Sequence, residues 1–427
     1  RADLDAAAPE NPVYIPIGIW PYPVIFNSEA LSRLGITASG PEDDRHVRIH
    51  RDPSTGEPTG LIEGMIFYLP SPLWGALQRM LPRPTPEQQR DAVRTALREN
   101  TAAGVTTIFE SHGAQPEFLE HYRALRASGD LPGRMVMSYS VNSADSVDAI
   151  DRWMGRLADA SGRGSGDDVI RTLGVTVAFD GATQFGAAYM YEPYLDIYGE
   201  PTTGSTPMDQ AKLSAIAELA ARHDLRLQFT FAGDAAAEMI LTAIESANAQ
   251  TSIVDRRWLM QHFQHPTPDH VRRTERLGLH VTGYTAVDYS KGAAVYVDRF
   301  ESDLWKNVIP TRWWFDAGVN LAQSTDGAHY EALFTLWESL VRIDGRTGQS
   351  LMSPAKRISR EEALRMYTIN GARVVFMEDR LGSIEPGKLA DLVVLDRDIM
   401  TVPVDEIRDA QVMLTMVGGE IVYEAAP

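Results

Sequence analysis

From Pro86 to Ala322, short apolar runs alternate with helical stretches, and this rhythm restricts the possible folds more than any other feature. Strands are predicted over 105–109, 134–141, 175–179, 225–231, 258–262, 280–284 and 319–322. Helices are predicted between them, over 87–102, 116–128, 147–158, 208–223, 235–249, 268–277 and 312–317. Each run is too short for a helix and is bounded by Gly, Pro or polar turn residues. That pattern predicts a parallel sheet with helical crossovers. Seven such strands suit a TIM-type (β/α) barrel, whose chemistry sits at the C-terminal ends of its strands.

The stretch from Glu361 to Tyr423 supplies a second constraint. Ser359 and Glu362 have capping-box spacing, ahead of a helix that contains Leu364, Met366 and Tyr367. The turn-rich segment GSIEPGK, 382–388, then leads into Leu392-Val393-Val394-Leu395. A run over 412–417, Gly418-Gly419 and Ile421-Val422-Tyr423 read as a hairpin. The order EEALRMYTINGARVV, GSIEPGKLADLVVLD and hairpin resembles the C-terminal end of the amidohydrolase superfamily. Within it, the segment is similar to the family-3 branch of YtcJ-like proteins and N-substituted formamide deformylases. The resemblance implies a TIM (β/α)8 barrel with a small β-sandwich domain. The opening residues, RADLDAAAPENP, resemble the middle of a family member. The first barrel strand and its His-x-His motif are therefore expected outside this chain. A homodimer, or a partner polypeptide supplying that strand, is the expected assembly. The expected divisions are an inserted loop and helix subdomain over 1–75, barrel strands 2–8 over 76–378, and the C-terminal part of the sandwich over 379–427. Residues 1–75 read as Pro-rich irregular structure with a short helix from Asn27 and a hairpin over 52–60.

Composition removes several function classes. The chain has 427 residues, with 44% hydrophobic and 23% charged side chains, as expected of a globular protein. A net charge of −18 argues against nucleic acid or an anionic membrane as partner. With no cysteine there is neither a disulfide framework nor a thiolate ligand or nucleophile. No apolar run reaches the roughly 20 residues of a membrane span. A cytoplasmic location and a small-molecule substrate are the expectations.

The strand ends carry the candidate chemistry. Asp326, after the last strand, falls where the resemblance places a metal ligand that also takes a proton from the attacking water. From the residues alone, an Asx-turn cap is the other reading. His262 falls at a metal-ligand position, with Gln261 before it where the family has an acid. Thr176 and Thr230 stand where the family has a lysine and a histidine. A neutral hydroxyl is a poor ligand for a divalent ion, so a two-metal site is not expected. Glu110 and His112 lie two apart, and on a regular extended chain they share one face. They form an alternative metal pair or a metal-free acid/base pair. Trp20, Tyr22, Phe185 and Tyr284, with Thr230 and Gln261, are the candidate substrate contacts, and the aromatic residues among them suggest a hydrophobic or aromatic ligand.

The resemblance implies hydrolysis of a C–N, amide-like bond of a small substrate. Asp326 and His262 would be the catalytic residues, with one divalent ion, zinc, as the expected cofactor and a metal-free site as the alternative. Two rival functions remain on the same barrel: a metal-independent acid/base enzyme (isomerase, cyclase or lyase), and an inactive barrel acting as a binding or scaffold subunit.

Overall fold

The computed structural model describes residues 1–16, 23–43, 47–63, 72–157, 164–196, 198–290, 294–326 and 330–426. The chain divides into two compact units, Arg1–Thr85 and Pro86–Pro427.

The first unit contains more regular structure than its sequence suggests. Strands β1 (Tyr14–Pro16), β2 (Val24–Phe26), β3 (Arg48–Arg51) and β4 (Pro58–Glu63) form an antiparallel sheet in the order β1-β2-β4-β3. The expectation of irregular structure over 1–75 is corrected here, while the expected helix from Asn27 and the hairpin over 52–60 are present as Ser28–Arg33 and β3–β4. Strands of three to six residues, two of them carrying Pro, are too short to display a period of two. Val24, Phe26, Leu31, Ile49, Ile62 and Leu77 make the core of this unit. Buried Asn27 caps helix Ser28–Arg33: its side chain accepts from the Val13 and Ala30 amides and donates to the Ala8 and Asn11 carbonyls. All of its side-chain atoms that need partners have them, which is the condition for burying a primary amide.

The second unit holds the barrel sheet. Its parallel strands are β5 (Thr107–Ala114), β6 (Arg134–Ser140), β8 (Ile170–Ala178), β11 (Leu227–Phe231), β12 (Leu259–His262), β13 (His280–Gly283) and β14 (Leu321–Gln323). Each pairs with the next in chain order. The two-residue β7 (Ser165–Gly166) pairs antiparallel with β8, and β9 (Tyr194–Leu195) and β10 (Pro201–Thr202) make a separate ribbon. All seven expected strands are present.

Packing shows that the sheet curls. Val175, Val177, Phe229, Phe231, Met260, Val281 and Leu321 share a core with helix residues such as Leu213, Ile216, Ile240 and Ile244. Val136, Leu173, Leu259, Ala322 and the partly buried Phe109 form a different cluster. Those five come from β6, β8, β12, β14 and β5, which are not all neighbours in the sheet. A flat sheet could not bring them together, but a TIM-barrel-like curl puts them in its interior.

The C-terminal segment forms an antiparallel sheet of β15 (Leu392–Leu395), β16 (Val412–Val417) and β17 (Glu420–Glu424). Ser359 and Glu362 form the expected capping box of helix Arg360–Tyr367. The sheet is fastened to the N-terminal end of the strands. Arg134, the first residue of β6, makes a bidentate pair with Asp391 at 2.8 Å on both arms. The two side chains are 4% and 6% exposed. Thr415 adds a hydrogen bond to the Thr101 carbonyl. Among the described residues, no helix is long and apolar enough to cross a membrane.

Candidate active site

Three side chains meet at the C-terminal ends of the curled sheet: His112 from β5, His262 from β12 and Asp326 just after β14. One ligand atom of each lies within 4.8 Å of the other two. The Asp326 Oδ1 is 3.5 Å from His112 Nε2 and 3.8 Å from His262 Nε2. The imidazoles meet edge to face, with centroids 5.1 Å apart.

Local backbone geometry aims each of the three. β5 bulges near its end, where its register with β6 shifts between Glu110 and Ala114. Gly113 takes a left-handed φ of 94° within the bulge, and a Cβ there would lie 2.7 Å from the Ser140 Cα. His262 (φ 69°), Phe263 (φ 28°) and Asp326 (φ 48°) also have positive φ. Left-handed non-glycine residues are uncommon and concentrate at functional sites. At both strand ends they turn the chain just where a ligand side chain leaves it.

The residues below the cluster are neutral. Ser111 Oγ donates to Gln261 Oε1 at 2.6 Å, and Gln261 Nε2 donates to the Ser111 carbonyl at 2.7 Å. Thr176 Oγ1 donates to the same carbonyl at 2.7 Å and lies 2.7 Å from Ser138 Oγ. Thr230, Gln261 and Thr282 are register partners across β11, β12 and β13. The hydroxyls of Thr230 and Thr282 have no hydrogen-bond partner among the described residues.

The other sequence candidates are distributed unevenly. Glu110 is separate from the cluster, because its carboxylate accepts the His112 backbone N–H at 3.1 Å. The expected Glu110–His112 pairing is therefore corrected. The bulge after Glu110 breaks the alternation that would have put both side chains on one face. Tyr284 is buried, with its ring 5.7 Å from that of His262. Phe185 ends the short 3-10 helix Thr183–Phe185, and its side chain is outside the described residues, as are Trp20 and Tyr22. Sequence reasoning missed Ser111 and Ser138. It joined His112 to His262 and Asp326 only for metal-free acid/base work, and as metal ligands it kept Glu110 and His112 as a separate pair; the local signal for the bulge that unites the three is Gly113 directly after His112.

Two buried groups hold the loops around the site. Asp180 accepts the amides of Tyr189, Ala232 and Gly233 at 2.7–2.9 Å and so ties the ends of β8 and β11 together. Burial pushes its pKa up to about 7, against the pull of those three donors. His265 pairs with Thr183 at 2.8 Å, and burial holds its pKa down at about 3, so it stays neutral.

The cluster fits a divalent ion. Two imidazoles and a carboxylate are the donor set of many catalytic zinc sites, which use three protein ligands and leave one position open. Donors about 2.0–2.1 Å from a tetrahedral ion lie roughly 3.4 Å from each other. Separations of 3.5 and 3.8 Å are close to that spacing.

Comparison with known proteins agrees with this architecture. The chain is 28% identical over 436 residues to Protein LONG AFTER FAR-RED 3 of Arabidopsis thaliana, covering 98% of this chain and 70% of that protein. It is 26% identical over 437 residues to the N-substituted formamide deformylase of Arthrobacter pascens, covering 99% and 76%. Among solved structures, an uncharacterized metal-dependent hydrolase from Pyrococcus horikoshii superposes with a TM-score of 0.71 at 21% identity. That match covers 95% of this chain and 75% of the other. The amidohydrolase family profile matches residues 1–423, so nearly every residue described above falls within it, and the chain belongs to the amidohydrolase family.

Proposed function

We propose that this chain hydrolyses a C–N, amide-like bond in a small, neutral, hydrophobic or aromatic substrate at the His112–His262–Asp326 cluster. One divalent ion, zinc, would be held by those three side chains. The observation that carries the reading is their convergence at the C-terminal strand ends. When bound, the ion would supply Lewis acidity and a water acidified toward neutrality. Asp326 would take the proton of the attacking water and return it to the leaving amine. Tyr284 packs beside the His262 ring. Thr176, Thr230 and Gln261 carry no charge, which supports a neutral substrate over a carboxylate or phosphate. The net charge of −18 supports a small molecule over nucleic acid as partner.

N-substituted formamides are the first substrates to try, given the 26% identity to a deformylase across 99% of the chain. The test measures the metal content of the natively purified protein and formate release from a panel of N-alkyl and N-aryl formamides and amides. We expect about one equivalent of zinc, activity abolished by chelation and restored by zinc, and loss of the metal in His112→Ala. Full activity after chelation, or undiminished metal content in His112→Ala, would overturn the proposal.

A further inference from the structure

We infer that Gln261 is a positioning residue that holds His112 at the metal site by clamping the peptide unit just before it. The inference rests on the proposed metal site and adds a residue that does not touch the ion. Gln261 and Ser111 lie 150 positions apart, on strands that are not neighbours in the sheet. They nevertheless exchange two hydrogen bonds, at 2.6 and 2.7 Å.

The donor count closes around the Ser111 carbonyl. A carbonyl oxygen offers two lone pairs. One takes Gln261 Nε2 and the other takes Thr176 Oγ1, each at 2.7 Å. Thr176 spends its one proton there, so at 2.7 Å it accepts the proton of Ser138, whose Oγ also lies at the longer distances of 3.3 and 3.4 Å from the Ser111 and Glu110 carbonyl oxygens. Ser111 in turn spends its own proton on Gln261 Oε1. The same peptide unit is held at its other pole, where the His112 N–H meets Glu110 Oε1. With C=O and N–H fixed in opposite directions, the plane of the peptide is set, and with it the direction of the His112 Cα–Cβ bond. Strand pairing does not orient the bulged segment, because β5 resumes pairing with β6 only at Ala114, and the Ser138 contacts to its carbonyls are longer than the clamp, at 3.3 and 3.4 Å.

This arrangement requires an amide at position 261. A carboxylate there could still accept from Ser111 but would face the Ser111 carbonyl oxygen with no proton to offer. It would also bring negative charge near the ion, which by simple attraction should tighten metal binding. The two ideas therefore predict opposite results for Gln261→Glu.

The test is zinc titration of the metal-free protein by calorimetry, with the melting temperature of the same apo samples and the visible spectrum of the Co²⁺ form. Outer-shell partners of ligands are typically worth about 10–100-fold in metal affinity. We expect Gln261→Glu to bind zinc weaker by that factor, with an apo melting temperature like that of the parent and an altered Co²⁺ spectrum. Thr176→Val removes the second donor to the same carbonyl and is expected to weaken zinc in the same direction. Zinc affinity equal to or tighter than the parent's in Gln261→Glu would overturn the inference. If Gln261→Glu does not fold, Thr176→Val decides by the same criterion. Zinc binding by the parent that ignores His112→Ala would instead refute the metal site itself, and the positioning role with it.

Discussion

Replacing Gly113 by alanine tests how the bulge in β5 presents His112. The added Cβ would lie 2.7 Å from the Ser140 Cα and 2.9 Å from its amide nitrogen, both backbone atoms at the end of β6. Gly113 also has a φ of 94°. A side chain in the left-handed region costs about 1–2 kcal/mol. Forcing a well-packed region to move costs about 1–3 kcal/mol more. The sum, roughly 2–5 kcal/mol, should appear as lost unfolding free energy in urea titrations of the apo protein. The relaxation that relieves the clash must push residues 111–113 away from β6, so zinc affinity should also fall, by about the 10–100-fold seen when ligand orientation is lost. Gly129→Ala is the control. Its φ is 76°, but nothing lies within 4 Å of its Cβ position, so it should show only the conformational cost of about 1–2 kcal/mol and normal zinc binding. A Gly113→Ala protein that matches Gly129→Ala in both measurements would refute the claim that a tight bulge aims His112.

Two further outcomes are expected away from the site. Asp391→Ala leaves Arg134 buried without its partner and removes the acceptor of the Gly418 amide, so it should cost about 3–5 kcal/mol; urea unfolding would show this, while zinc affinity should be unchanged because Arg134 starts its strand at the far end from the site. Glu338 is buried close to Asp288, and burial first, then that negative charge, push its pKa from 4.5 up to about 9. Between about pH 4.5 and 9 the folded state therefore keeps a proton that the unfolded chain releases, and stability must fall as pH rises across that window. Glu338→Gln should flatten this part of the stability profile; a profile with the parent's slope would show that Glu338 does not titrate in this way.

The barrel was legible because most of its strands, from β6 onward, are buried on both faces. Runs such as Leu227–Phe231 are continuously buried and read as short apolar segments between helices. The C-terminal sheet was legible through its turn residues, Gly418 and Gly419, both with positive φ. In the first unit the β3–β4 hairpin was legible through its turn residues, but the rest of that sheet was not, because its strands are too brief for periodicity to emerge. At the site, His262 and Asp326 could be singled out by their places at predicted strand ends together with the family resemblance. His112 could be singled out too, but with the wrong companion. Pairing it with Glu110 assumed a regular strand, whereas the bulge is stabilised by donors on β8 and β12 that no local rule connects to β5. Phe229, Phe231 and Phe263, also near strand ends, are part of the core.

Phe263 shows how core packing and site geometry depend on each other. Left-handed backbone at a non-glycine residue costs on the order of 1–3 kcal/mol, and His262 and Phe263 both adopt it in succession. The strain persists only if the surroundings over-determine it. The Phe263 ring is 1% exposed and sits 4.7 Å from the ring of Phe231 and 5.2 Å from that of Trp314. Burying such a ring contributes about 1.5–3 kcal/mol, and each aromatic contact adds about 0.5–1.5 kcal/mol. These gains are comparable with the backbone cost, so the turn after β12 is held by the hydrophobic layer between sheet and helices rather than by the site. The same turn sends His262 inward toward Asp326 while Phe263 goes outward. On the inward side, Thr176, Thr230 and Gln261 offer no charge for a second divalent ion, and the Ser111 carbonyl is already engaged by two donors. The outward packing holds the turn that carries His262, and among the described residues the candidate metal ligands are His112, His262 and Asp326, with neutral groups below them.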